Sequence, residues 1–325
     1  MDVLDDYYYH LPPELIAQRA LRKKDNSKLL VLKENIEHRH FYDLVDYLEK
    51  GDILVINKTK VKKCRLIGKK ESGSPAEITL IKKIKSLHYL CKIKTRNPHP
   101  GINLIFKKGL IASVISENND LFYVKFNQKI NPQELELLTP PYIKGKIAEK
   151  DYQTIYAKKE SSLAAPTAGL HFTPELIAKI KKKGIKIAEI QLDISYATFL
   201  PVIDINKHDT GEEYFSVDQK NADIINSGNI VAVGTTVIKC LESCQWKNGQ
   251  ILPSSGISNI FIKPGHKFKT SFKKVITNFH LPKSSLLLLI SAYIGKEKLL
   301  QAYREAVTKK YRFFSLGDAM LIIKK

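Results

Sequence analysis

Apolar and polar positions fall into three regimes along the 325 residues. In residues 1–60, "LLVLKE" and "IEHRHF" predict a strand pair, and "YDLVDYLEK" predicts a helix closed by Gly51. "DILVIN" is a short apolar strand that runs into the polar loop "NKTK". A polar loop at the C-terminal end of a strand is a common place for ligand contacts. Over 61–148 the runs become short and β-like: "CRLIGKK", "AEITLIKKI", "HYLCKIK", "LIFKKGLIASVIS" and "LFYVKFN". The turn signals "SGSP", "NPHPG" and "ENND" separate them, and only "PQELELL" has a helical pattern. Lysines alternate with apolar residues there, which predicts a small all-β barrel or sandwich with a basic outer face. From residue 150 the pattern is mixed again. Thr173 with Pro174 and Glu175 predicts a helix start, and "PELIAKIKKK" runs to Gly184. "IKIAEIQLDI" and "NIVAVG" read as strands, and "DQKNADIINS" and "TTVIKCLES" as helices. "SSLLLLISAYIG" and "KEKLLQAYREAVTKK" read as two more helices before a closing strand, "DAMLII".

The simplest assembly is a mixed α/β domain made from both ends of the chain, residues 1–62 plus 149–325. A barrel-like domain, 63–148, is inserted in it. At 43% hydrophobic and 26% charged residues, the chain has the composition of a soluble globular protein. Charge changes the picture: Lys and Arg number 53 against 33 Asp and Glu, a formal net charge of +20. That field suits a polyanion such as nucleic acid. A Lys-rich composition with solvated side chains would give the same number, so charge alone leaves both readings open. Cys240 and Cys244 share a helix face and read as buried hydrophobes, with neither a zinc site nor a disulfide framework indicated. There is no secretory pattern, and the run "LLLLISAYIG" is too short to span a bilayer, so a cytoplasmic protein with no membrane association is expected.

The candidate chemistry gathers at two loops. "AAPTAGLHFTPEL" is small and neutral, with His171 just before a helix start. Small residues before a helix N-terminus allow a polar ligand or anion close to free N–H groups. A histidine packed silently under the loop would look the same. "TNFHLPKSS" repeats the device with His280, preceded by Thr277 and Asn278. Weaker candidates are "HDTGEEYF", with His208, Glu212 and Glu213, and "YRFFSLGDAMLI", with Arg312 and Asp318 flanking a glycine. "IVAVGTT" offers Gly234 and Thr235 at a strand-to-helix turn, but a lone glycine does not make a dinucleotide fingerprint.

"AAPTAGLHFT", "VAVGTT", "FIKPGHKF", "TNFHLPKS", "AYREAV" and "YRFFSLGDAMLI", in this order, resemble the S-adenosylmethionine:tRNA ribosyltransferase-isomerase family of queuosine biosynthesis. "LPPELIAQ", "PPYI" and "YQTIYA" match as well, so the resemblance covers nearly the whole chain. It implies a mixed α/β fold with an inserted small β-barrel. It also implies S-adenosylmethionine as co-substrate, with no metal. The ribosyl group would go to the aminomethyl-7-deazaguanine wobble base of tRNA, giving epoxyqueuosine-tRNA, adenine and methionine. A monomer is expected. On this reading His171, His280, Glu213 and Asp318 are the catalytic candidates. Thr167, Gly169, Thr198, Gly234, Thr235, Asn278 and Arg312 are the candidates for holding the co-substrate. The chain departs from the family's His-x-Gly-x-Gly-Thr-Phe-x-Pro-Val stretch: Asp193 replaces the His, and Ser195 and Ala197 replace the glycines. Thr210 and Gly211 stand where a Met and a second His belong, and Lys239 replaces an Arg. These departures raise the alternative of a catalytically impaired or re-purposed tRNA-binding relative.

Overall fold

The computed structural model describes residues 4–118, 120–199 and 201–324. It forms two compact units, Met1–Lys60 with Pro140–Lys325, and Val61–Thr139.

In the first unit nine strands form one sheet: β1 (Lys28–Leu32), β2 (Ile36–His40), β3 (Asp52–Asn57), β4 (Lys186–Leu192), β5 (Glu213–Val217), β6 (Asn229–Val233), β7 (Ser254–Ser258), β8 (Phe272–Asn278) and β9 (Ala319–Ile323). Their order is β7-β5-β4-β3-β6-β8-β9-β1-β2. The strands β4, β3, β6 and β8 are mutually parallel, and antiparallel partners flank them. Every residue of β3 is buried, as expected for a strand covered on both faces. Its alternate side chains feed two cores: Ile53 and Val55 join one, Leu54 and Ile56 the other.

Helix α1 (Pro174–Lys182) covers one face through Leu176 and Ile180. Helices α3 (Thr235–Ser243), α4 (Ser285–Ile294) and α5 (Lys296–Thr308) supply the other core. Three helix starts follow from local chemistry. Thr173, Asp218 and Ser284 each accept a backbone N–H from the first turn, at α1, at α2 (Gln219–Asn226) and at α4. Helix α3 differs: its N-cap is Gly234 at φ 90°, with no side-chain cap.

Two expected helices take another form. Residues Phe41–Tyr47 form a 3-10 helix, with Phe41 and Leu44 buried three residues apart, the repeat of a three-residue turn. "PQELELL" has a single 3-10 turn at Pro132–Glu134, after which Glu136–Leu137 joins a barrel strand. The second unit is a closed six-stranded barrel. Lys63–Lys70, Pro75–Lys85, His88–Lys94, Leu121–Phe126, Ile111–Asn118 and Asn103–Ile105 pair in that order, and the last closes on the first. This is the mixed α/β fold with an inserted barrel that the sequence leads one to expect. The barrel unit ends at Thr139 rather than near 148. Residues 140–148 belong with the α/β unit, where the Tyr142 ring stacks on Phe314 at 4.3 Å and its carbonyl accepts from Gln18 Nε2 at 3.0 Å.

Candidate active site

The C-terminal ends of the parallel neighbours β6 and β8 open onto a cavity of about 470 Å³. This edge is where open α/β sheets commonly place ligands. Gly234 to Thr236 enter from β6, and Thr277 to His280 from β8. Ala164 to Ala168, Tyr142, Phe314, Ile194 and Val202 complete a largely apolar wall. Two helix N-termini meet here, since Ser284 to Leu286 at the start of α4 also line it. The uncapped start of α3 leaves N–H groups for a ligand, and Thr236 Oγ1 beside them is buried without a protein partner.

The charged centre is Glu213, 1% exposed. Its Oε2 accepts from Lys239 Nζ at 2.5 Å, and its Oε1 accepts from Ser195 N–H at 3.2 Å and Thr198 Oγ1 at 3.3 Å. Both ions line the cavity. The pair sets a carboxyl group and a lysine amine side by side on the cavity wall, with the remaining carboxyl oxygen held by two further donors. His280 also lines it, with Nε2 at 2.9 Å from Thr277 Oγ1. Burial pushes its pKa down to about 3, so at neutral pH it is an uncharged hydrogen-bonding group.

The eleven expected residues therefore divide. Thr167, Thr198, Glu213, Gly234, Thr235, Asn278 and His280 line the cavity. Gly169, His171, Arg312 and Asp318 do not. His171 lies behind the wall, buried, its Nδ1 at 2.8 Å from Ser27 Oγ and its Nε2 at 3.2 Å from Asn278 Nδ2. Thr167 and His171 belong to one 3-10 turn, Thr167–His171. With three residues per turn, positions four apart point in different directions, so the histidine turns away from the cavity that Thr167 faces. Burial first, then the nearby Arg312 and Lys24 cations, push the His171 pKa down to about 3. Asp318 is a structural carboxylate: it accepts from Lys28 N–H at 3.1 Å, Arg312 N–H at 2.8 Å and Arg312 Nη2 at 3.2 Å. Arg312 is thus already engaged, and with His171 it lines a separate crevice of about 20 Å³. Gly169 serves packing, because a Cβ there would lie 2.1 Å from the Tyr156 hydroxyl.

The departures in 193–213 are largely accommodated outside the cavity. Asp193 does not line it. Its Oδ1 accepts from Thr59 Oγ1 at 2.7 Å, Ser161 Oγ at 2.6 Å and Gln191 Nε2 at 3.0 Å. Gly211 has φ +69°, and a Cβ there would lie 2.9 Å from Ser195 Oγ and 3.0 Å from Ala197 Cβ. The side chains gained at 195 and 197 occupy the space that a larger residue at 211 would need. His208 packs edge-on against Phe261, away from the cavity. Lys239 is the important residue missing from the expected set. Its signal was the departure already noted, a Lys in place of the family's Arg, four residues after Thr235 and so on the same helix face.

Fold and comparisons agree on the class. The family of queuosine biosynthesis proteins matches residues 4–322, and the chain belongs to that family. Among curated relatives, the S-adenosylmethionine:tRNA ribosyltransferase-isomerase of Desulforamulus reducens is 43% identical, over 98% of this chain and 99% of that one. The protein of the same name from Carboxydothermus hydrogenoformans is 44% identical over the same shares. A solved structure, S-adenosylmethionine tRNA ribosyltransferase from Thermotoga maritima, is 35% identical, covers 98% of this chain and 100% of that one, and has a TM-score of 0.56.

Proposed function

We propose that this chain is an S-adenosylmethionine:tRNA ribosyltransferase-isomerase. It transfers and isomerises the ribosyl group of S-adenosylmethionine onto the aminomethyl-7-deazaguanine wobble base of tRNA. The products are epoxyqueuosine-tRNA, adenine and methionine. The observation that carries this reading is the cavity that brings Glu213, Lys239, His280 and the free start of α3 together in a member of this family.

The sulfonium acidifies the ribose carbon bonded to it, so the reaction needs a base there. Glu213 is that base in this proposal: a carboxylate favours a cationic neighbour, and Lys239 with the Ser195 and Thr198 donors holds it in place. Neutral His280 hydrogen-bonds the departing adenine or the ribose. The N–H groups at the start of α3, with Thr236 Oγ1, take the methionine carboxylate. The net charge of +20 favours tRNA, with affinity that falls steeply as salt rises. We further propose that the chain works as a monomer in the cytoplasm. Among the described residues, no helix is long and apolar enough to cross a membrane.

The test is adenine release from S-adenosylmethionine by the purified protein, with and without tRNA carrying the aminomethyl-deazaguanine base. Release that depends on this tRNA is the expected result. Intact tRNA binding with no release would replace this reading with that of a tRNA-binding relative.

A further inference from the structure

Asn278 ends β8 on the cavity wall and is 2% exposed. Its Nδ2 donates to the Phe314 carbonyl at 3.0 Å and lies 3.2 Å from His171 Nε2. A carbonyl only accepts, so the amide orientation is fixed, with its nitrogen toward Phe314 and His171. His171 Nε2 is then the acceptor, and its Nδ1–H donates to Ser27 Oγ. Both amide hydrogens of Asn278 are used. Its Oδ1 is buried and has no protein partner. Such an oxygen has lost its hydrogen bond to water and regains one only if a ligand supplies a donor.

Next to it stands Phe314 at φ 72°, a left-handed conformation rare for a bulky residue and a form of strain that clusters at ligand sites. Three hydrogen bonds hold it there. Its N–H donates to Phe279 O at 3.1 Å, and its carbonyl accepts from Asn278 Nδ2 and from Gly317 N–H at 2.9 Å. The Phe314 ring stacks with Tyr142 at 26° between planes, and both rings line the cavity.

We infer that Asn278 Oδ1 and the adjoining Phe314–Tyr142 aromatic pair form a recognition site for a planar heterocycle with an exocyclic amino group. His171 is the positioning residue that holds the acceptor toward it. This inference rests on the function proposed above. Two substrates of that reaction carry this chemistry: the adenine of S-adenosylmethionine and the deazaguanine base with its 2-amino group.

The experiment crosses ligand changes with protein changes in the full chain. S-adenosylmethionine and its inosine counterpart, which has oxygen in place of the amino group, are titrated against wild type, Asn278→Ala and His171→Phe. tRNAs bearing the aminomethyl-deazaguanine with and without its 2-amino group form the second arm. Wild type should prefer the amino-bearing ligand by about tenfold or more on one arm, and Asn278→Ala should lose most of that preference. Preference on the nucleoside arm assigns the site to adenine, and preference on the tRNA arm assigns it to the acceptor base. His171→Phe keeps the ring that stacks on Phe41 but removes the Nε2 acceptor. It should reduce the preference and raise KM more than it lowers kcat, and His171→Gln should restore part of both. Wild type without an amino preference on either arm overturns the inference, whether or not the variants fold. Failure of tRNA-dependent adenine release would overturn the functional reading separately, since the binding preference is read without turnover.

Discussion

The two histidine loops are close counterparts in sequence and opposite in use. "AAPTAGLHFTPEL" and "TNFHLPKSS" each place a histidine shortly before a capped helix, α1 and α4. His280 follows β8 and turns into the cavity, whereas His171 sits at the end of a 3-10 turn and faces Ser27 and Asn278 behind it. Both are buried, and both are uncharged at neutral pH. A motif therefore tells which residues gather near a site. Which of them touch the ligand depends on the turn geometry between them.

The sharpest way to break this division into front and back is to remove the charge at the front. Glu213→Gln keeps the size of the side chain but removes the carboxylate that Lys239 holds. Its adenine-release rate should fall by about 10²–10⁴, the usual loss for a general base, with tRNA affinity unchanged. Near-normal turnover would remove Glu213 from the front set and transfer the base role to another cavity group.

The back set should answer to stability rather than rate. Asp318→Ala leaves three donors without their acceptor, two of them backbone N–H groups. Because Arg312 is part-exposed, the loss should be moderate, about 2–3 kcal/mol in denaturant unfolding. At a temperature where this variant is fully folded, kcat should stay within a few-fold of wild type. A loss of rate comparable to that of Glu213→Gln would mean that Asp318 reaches the reacting atoms after all.

Much of this was legible in the chain. Helix starts at Thr173, Asp218 and Ser284 rest on short-range capping chemistry, and the all-buried β3 rests on composition alone. The inserted barrel shows in the close spacing of its turns. What sequence could not supply is direction at irregular turns. Nothing local says that Thr167 faces the cavity while His171 does not, or that Arg312 is already taken by Asp318. The Glu213–Lys239 pair joins residues 26 apart across β5 and α3, so the sequence marked Lys239 as a departure from the family's Arg without connecting it to Glu213. Likewise, Gly211 reads as a lost histidine until Ser195 and Ala197 are seen to occupy the space beside it.

The smallest effect tests what the two histidines have in common. Burial holds both at a pKa of about 3, against about 6.5 in an unfolded chain. Above that unfolded value neither state binds the proton, and the contribution to stability is constant. As pH falls from about 6.5 toward 3, the unfolded chain takes up protons that the folded chain refuses. Stability should then drop by about 1.4 kcal/mol per pH unit for each histidine. Denaturant unfolding of wild type, His171→Phe and His280→Phe at several pH values between 7 and 4 reads this slope. Each substitution should remove one proton's worth of it, although the two histidines differ in their access to ligand. If His280→Phe left the slope unchanged while His171→Phe reduced it, His280 would be taking up its proton in the folded state. The cavity would then be wet enough to charge it, and the front histidine would become an acid able to protonate the departing adenine, a role closed to the neutral ring assigned to it here.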